Sequence, residues 1–183
     1  IIVVACGTAA NAGEVVKYAI EHWCRIPVEV ELAHEFRYRD PIVHERTLVV
    51  AISQSGETMD TLMAVRYAKE QGAKVVAICN TRGATIPRES DAAIYLHVGP
   101  EIAVASTKAY LGQIAACYLL GLFLAQVRGN LYGDEIEAIM RDLEEIPGKI
   151  QEVLDRSGQV EKLARDMVDA TSVLFLGRHV GFP

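Results

Sequence analysis

Residues 53–58, SQSGET, place three hydroxyl side chains (Ser53, Ser55, Thr58), the carboxamide of Gln54 and the flexible Gly56 within six positions. A hydroxyl can donate a hydrogen bond to a phosphate oxygen, and a glycine lets backbone come close to a ligand. The loop follows an apolar run and precedes helical spacing. It therefore falls where a helix N-terminus presents unpaired N–H groups and roughly half a unit of positive charge. Capping that helix would occupy one of the three hydroxyls. The others point to an anion receptor built from neutral donors. No lysine lies in the loop, which argues against a Walker-type nucleotide site and for a small phosphomonoester.

Further candidates fall at the ends of other apolar runs. Thr8, in CGTAANAG, can donate to the same ligand or cap the helix from residue 9; the segment lacks the G-x-G-x-x-G spacing of a dinucleotide site. EIAVASTK, residues 101–108, offers Ser106 and Thr107, whose commoner use is to cap a helix. Cys6 stands at a strand end with no base beside it in the chain, and reads as a buried structural thiol. His22, His34, His44, His97 and His179 form no cluster and read as surface or internally satisfied residues. EFRYR, residues 35–39, reads as a solvated helix or loop face.

Positioning these groups requires strands and helices in alternation. IIVVA (1–5), TLVVAI (47–52) and KVVAIC (74–79) are short and rich in β-branched residues, as expected of strands covered on both faces of a parallel sheet. VEVEL (28–32) alternates apolar and charged residues, as at a sheet edge, and AAIYLHV (92–98) is a fifth candidate. Helical spacing spans residues 9–23 and 59–71, the second ended by Gly72. The expected fold is a doubly wound α/β domain with five parallel strands in order 2-1-3-4-5. That order puts ligands beyond the carboxyl ends of strands one and three, where the SQSGET loop lies.

Residues 109–127 carry no charge, enough length for a membrane span. Gln113 and Gln126 interrupt the run inside an alternating α/β pattern, so it reads as a helix buried on all sides, between the sheet and a partner domain or subunit. Residues 1–130 then form the ligand-binding domain. Residues 131–171 form a charged helical connector, broken at Pro147-Gly148. SVLFLG, 172–177, repeats the strand-then-glycine pattern of VVACG, so residues 172–183 read as the start of a second copy of the unit.

Composition narrows the function classes. A net charge of -6 and a pI of about 5.4 speak against nucleic-acid binding. Cys6, Cys24, Cys79 and Cys117 are widely spaced, without a C-x-x-C pair or a histidine at ligand spacing, which argues against zinc and against a disulfide framework. Reduced thiols and the absence of a leader-like segment read as cytoplasmic, and the abrupt apolar start as that of a cut fragment.

Four segments together, ACGT, HEFRYR, SQSGETMDT and GPEIAVASTKAY, resemble in order and spacing the isomerase part of the isomerising glutamine-fructose-6-phosphate aminotransferases, over nearly the whole chain. The resemblance implies a flavodoxin-like sugar isomerase (SIS) fold in which Ser53, Gln54, Ser55 and Thr58 hold the sugar 6-phosphate. It implies that Thr8, Val104 (through its backbone) and Ser106 touch the sugar of fructose-6-phosphate or glucosamine-6-phosphate. It further implies a cytoplasmic homodimer serving amino sugar synthesis, without cofactor, metal, membrane or nucleic acid. Its other parts are a second SIS half and a glutaminase domain. That second half and the tail after it supply the Schiff-base lysine, proton-moving carboxylate and ring-opening histidine, so no catalytic residue is expected here. Ala9 stands where the family commonly has serine, which removes one hydroxyl contact. Two rivals share the serine loop. The sugar-phosphate sensor of a transcription regulator should lack EFRYR and EIAVASTKAY, and an FMN-binding flavodoxin carries its loop after the first strand.

Overall fold

A computed structural model describes residues 1–103 and 105–183. In chain order, β1 (Ile2–Ala5), α1 (Thr8–Cys24), β2 (Glu29–Leu32), α2 (Ala33–Phe36), β3 (Leu48–Ser53), α3 (Met59–Glu70), β4 (Lys74–Cys79), α4 (Thr85–Glu89) and β5 (Ala92–Tyr95) lead into α5 (Lys108–Val127). The strands are all parallel, in order β2-β1-β3-β4-β5, as expected from the sequence.

The apolar runs make strands because both faces of the sheet are covered. Register sets Ile2 beside Val49 and Val49 beside Val75. These residues, with Val4, Ala51 and Ala77, pack under Phe36 of α2, Leu62 and Val65 of α3, and Ile86 of α4. The alternate set, Val3, Ala5, Val50, Ile52 and Ile78, packs against Val16 and Ile20 of α1 and Ala116, Cys117 and Leu120 of α5. Each fully buried Val, Leu or Ile contributes about 1.5–3 kcal/mol, so the three layers hold the strand ends firmly. β2 lies at the edge with its terminal residues Glu29 and Leu32 exposed, matching its alternating pattern.

Several expectations need correction. Phe36 is fully buried, so EFRYR is no uniformly solvated face: its aromatic ring anchors α2 to the sheet while Arg39 pairs outward with Glu31. α5 is only partly buried, through Ala109, Gln113, Ala116, Cys117, Leu120, Gly121, Leu122 and Ala125. Its Leu111, Leu119, Phe123 and Val127 are exposed. It is long and apolar enough to cross a membrane by length and composition, with 39% of its most apolar window buried. The connector is not broken at Pro147: α6 (Gly133–Asp155) runs through it, although that residue has no N–H to donate within the helix, and α7 (Ser157–Asp166) follows. Residues 172–178 form no strand, because the five strands of the sheet take no partner from this segment.

Candidate functional site

The carboxyl end of β3 delivers Ser53 into a loop held by its own hydroxyls. Ser53 is buried, and its Oγ accepts the Gly56 N–H at 3.1 Å and lies 3.0 Å from Thr58 Oγ1. Ser55 Oγ accepts the Glu57 N–H at 3.2 Å, which leaves its own proton free for a ligand. Thr58 is the residue before α3, yet its side chain makes no capping bond. The helix thus keeps N–H groups for an anion, and simple capping does not account for this hydroxyl.

A second set of bonds clamps the loop from behind. Gly56 carbonyl accepts the Ile86 N–H at 2.9 Å, and Glu57 Oε1 accepts the Thr85 N–H at 2.7 Å and the Thr85 hydroxyl at 3.2 Å. Those bonds hold the Glu57 carboxyl below the usual carboxylate range, the backbone bond contributing most. Gly56 has φ +69°, and a Cβ there would lie 2.6 Å from both Ala84 Cβ and Cys79 Sγ. The expectation that this glycine serves close approach to a ligand is therefore corrected: it serves close approach to α4 and β4.

The fold brings the other candidates to the same place. A cavity of about 200 Å³ is lined by Ser53, Gln54, Ser55 and Thr58 together with Cys6, Thr8, Ala9, Ala103 and Ser106. Thr8 is the first residue of α1 and does not cap it; Gly7 occupies that position. The N-termini of α1 and α3 consequently both abut the cavity, and their dipoles favour an anion. Ser106 donates to Glu101 Oε2 at 3.1 Å, so its hydroxyl proton is already used while its oxygen can still accept. Ala9 puts a methyl on the wall. Val104, the remaining candidate, lies outside the described residues.

Two wall residues were not singled out from sequence. Glu101 accepts the Thr107 N–H at 2.7 Å and its hydroxyl at 3.1 Å, standing as a carboxylate before α5; these bonds keep it below the usual carboxylate range, the backbone one foremost. Gln113 is 1% exposed, lines the cavity, and its Oε1 has no hydrogen-bond partner among the described residues. Its sequence signal was one of two amides, with Gln126, in the uncharged run of residues 109–127. Cys6, read as a buried thiol with no base beside it in the chain, is only partly buried, and its sulfur lies within 4.8 Å of ligand atoms of His34 and Asp60. That juxtaposition joins three separate elements and is invisible in linear spacing.

A family model described as SIS domain matches residues 1–122. The chain belongs to the SIS domain family. Among relatives of this SIS chain, the glutamine–fructose-6-phosphate aminotransferase (isomerizing) of Corynebacterium efficiens is 74% identical over the whole chain, and that of Streptomyces coelicolor 66%. The chain spans 29% and 30% of the length of these two proteins. The C-terminal domain of glucosamine-fructose-6-phosphate aminotransferase from Francisella tularensis superposes with a TM-score of 0.95 at 38% identity, covering 98% of this SIS chain and 51% of that one.

Proposed function

We propose that this chain holds the phosphorylated sugar within a glutamine-dependent aminotransferase and isomerase that converts fructose-6-phosphate to glucosamine-6-phosphate for amino sugar synthesis. The observation that carries the reading is the convergence of Ser53, Gln54, Ser55 and Thr58 with Thr8 and Ser106 on one cavity at two helix N-termini. The names of the relatives support it.

Charge orients the ligand. A phosphate dianion belongs at the Ser53–Thr58 end, where neutral hydroxyls and the α3 N-terminus face it. Glu101 would repel it at the other end, but a carboxylate is a good acceptor for sugar hydroxyls, as are Ser106 Oγ and Gln113 Oε1.

Holding is the task of this part, and the chemistry is left to others. Moving a proton between C1 and C2 beside an imine needs a positioned amine and base. Among the described residues lining the cavity there is neither lysine nor histidine, and Lys108 faces the groove between α5 and α6 instead. The reading assigns those groups to a second SIS half beginning at residues 172–183, and ammonia supply to a glutaminase domain; the short share of each relative that the chain spans supports this. It places the parent in the cytoplasm as a homodimer, in keeping with four free thiols and the exposed apolar residues of α5.

Calorimetric titration of fructose-6-phosphate tests the reading. Binding is expected without turnover, and Ser55→Ala should weaken it. Equal heats from the two proteins would remove the loop from the site, and turnover by this chain would refute the division of labour.

A further inference from the structure

The corner formed by the ends of β1, α2 and α3 carries groups that the sugar-phosphate reading does not use. Cys6 follows β1, His34 lies in α2 and Asp60 in the first turn of α3. Their ligand atoms all lie within 4.8 Å of one another, Cys6 half-buried and the other two exposed. We propose that Cys6, His34 and Asp60 form a binding site for a zinc-type divalent cation at the edge of the sugar-phosphate cavity, whose wall Cys6 shares, on observations separate from those behind the reading given for that cavity.

The donor set suits such an ion. Thiolate sulfur selects soft or borderline metals, imidazole suits zinc, and a carboxylate completes three protein ligands with a fourth position left to water. Zn–S bonds of ~2.3 Å and Zn–N or Zn–O bonds of ~2.0–2.2 Å set tetrahedral ligand atoms about 3.5 Å apart, so the gap to close is on the order of 1 Å. His34 and Asp60 can close it by side-chain rotation, since neither is packed in the core. Thr61 Oγ1 donates toward Cys6 Sγ at 3.8 Å, the kind of outer contact that orients a ligating sulfur. Coordination replaces the thiol S–H with an S–Zn bond, and the displaced proton passes to water.

Cys6 is also the one thiol free for this role. Cys24, Cys79 and Cys117 are buried, and burial raises all three, Cys117 to about 12. Cys24 donates to the Gly121 carbonyl at 3.2 Å.

Alkylation of Cys6 by iodoacetamide, followed by peptide mass analysis of the full chain with and without added Zn²⁺, tests the site. Zinc should slow labelling of Cys6 by about tenfold or more, because a coordinated thiolate is no longer a free nucleophile. The protection should disappear in His34→Ala and in Asp60→Asn, both surface changes, each compared with its own zinc-free rate and with its circular dichroism unchanged. Equal labelling rates with and without Zn²⁺ overturn the proposal, as does protection that survives both substitutions or a Cys6 that never reacts. None of these readouts involves sugar phosphate, so failure here leaves the proposed function standing, and the reverse.

Discussion

At the residue scale, each polar wall group of the cavity has a different share of its hydrogen bonding left for a ligand. Ser55 keeps its proton, so Ser55→Ala should weaken fructose-6-phosphate binding by about 1.5–3 kcal/mol, roughly ten- to a hundredfold in Kd by calorimetry. Gln113 presents the opposite case. Its buried Oε1, without a partner among the described residues, is a cost to the unliganded protein, so Gln113→Leu should raise the unfolding free energy by about 1 kcal/mol in urea titration. The same change should weaken sugar-phosphate binding, since the lost acceptor faces the cavity. A Gln113→Leu protein that is no more stable, or binds equally well, contradicts that assignment.

At the scale of elements, α4 is the part that makes the loop rigid. A Cβ at Gly56 would meet Cys79 and Ala84 at 2.6 Å and would be strained by the left-handed backbone already present there, so Gly56→Ala should cost about 2–4 kcal/mol in denaturant unfolding. The Glu57–Thr85 clamp should give an acid signature. Folding depresses the Glu57 carboxyl, so its stabilisation is complete above the ordinary glutamate range and fades as pH falls through the lower folded value. Glu57→Gln should therefore flatten the acid side of the Tm-against-pH curve, whereas an unaltered curve would show that the clamp carries no linkage.

For the whole molecule, α5 carries both core residues and exposed apolar ones, and the proposed assembly would use the exposed ones. Ala116, Cys117 and Leu120 are in the core, whereas Leu119 and Phe123 are exposed at 45% and 59%. Phe123→Glu should leave the stability of this chain within about 0.5 kcal/mol, as a surface change does. On the proposed reading it should weaken association with the rest of the parent protein, measurable by sedimentation of the longer chain. Loss of folding in Phe123→Glu would place that side chain in the core instead.

Hydrophobic periodicity by itself determined the order of strands and helices, the edge position of VEVEL and the serine loop's place at the switch point, because parallel strands covered on both faces leave a local signature. The hydroxyls of Ser53, Ser55 and Thr58 were legible for the same reason: they sit together in the chain. Only the tertiary structure decided what depends on contacts between distant segments. It set Glu101 and Gln113 on the cavity wall, gave Gly56 a packing role, made Phe36 a core residue and brought Cys6, His34 and Asp60 within one coordination sphere's reach. No spacing rule along a chain encodes such encounters, since they are fixed by how β1, α2 and α3 pack, and a strand such as 172–177 forms only where another strand offers it hydrogen bonds.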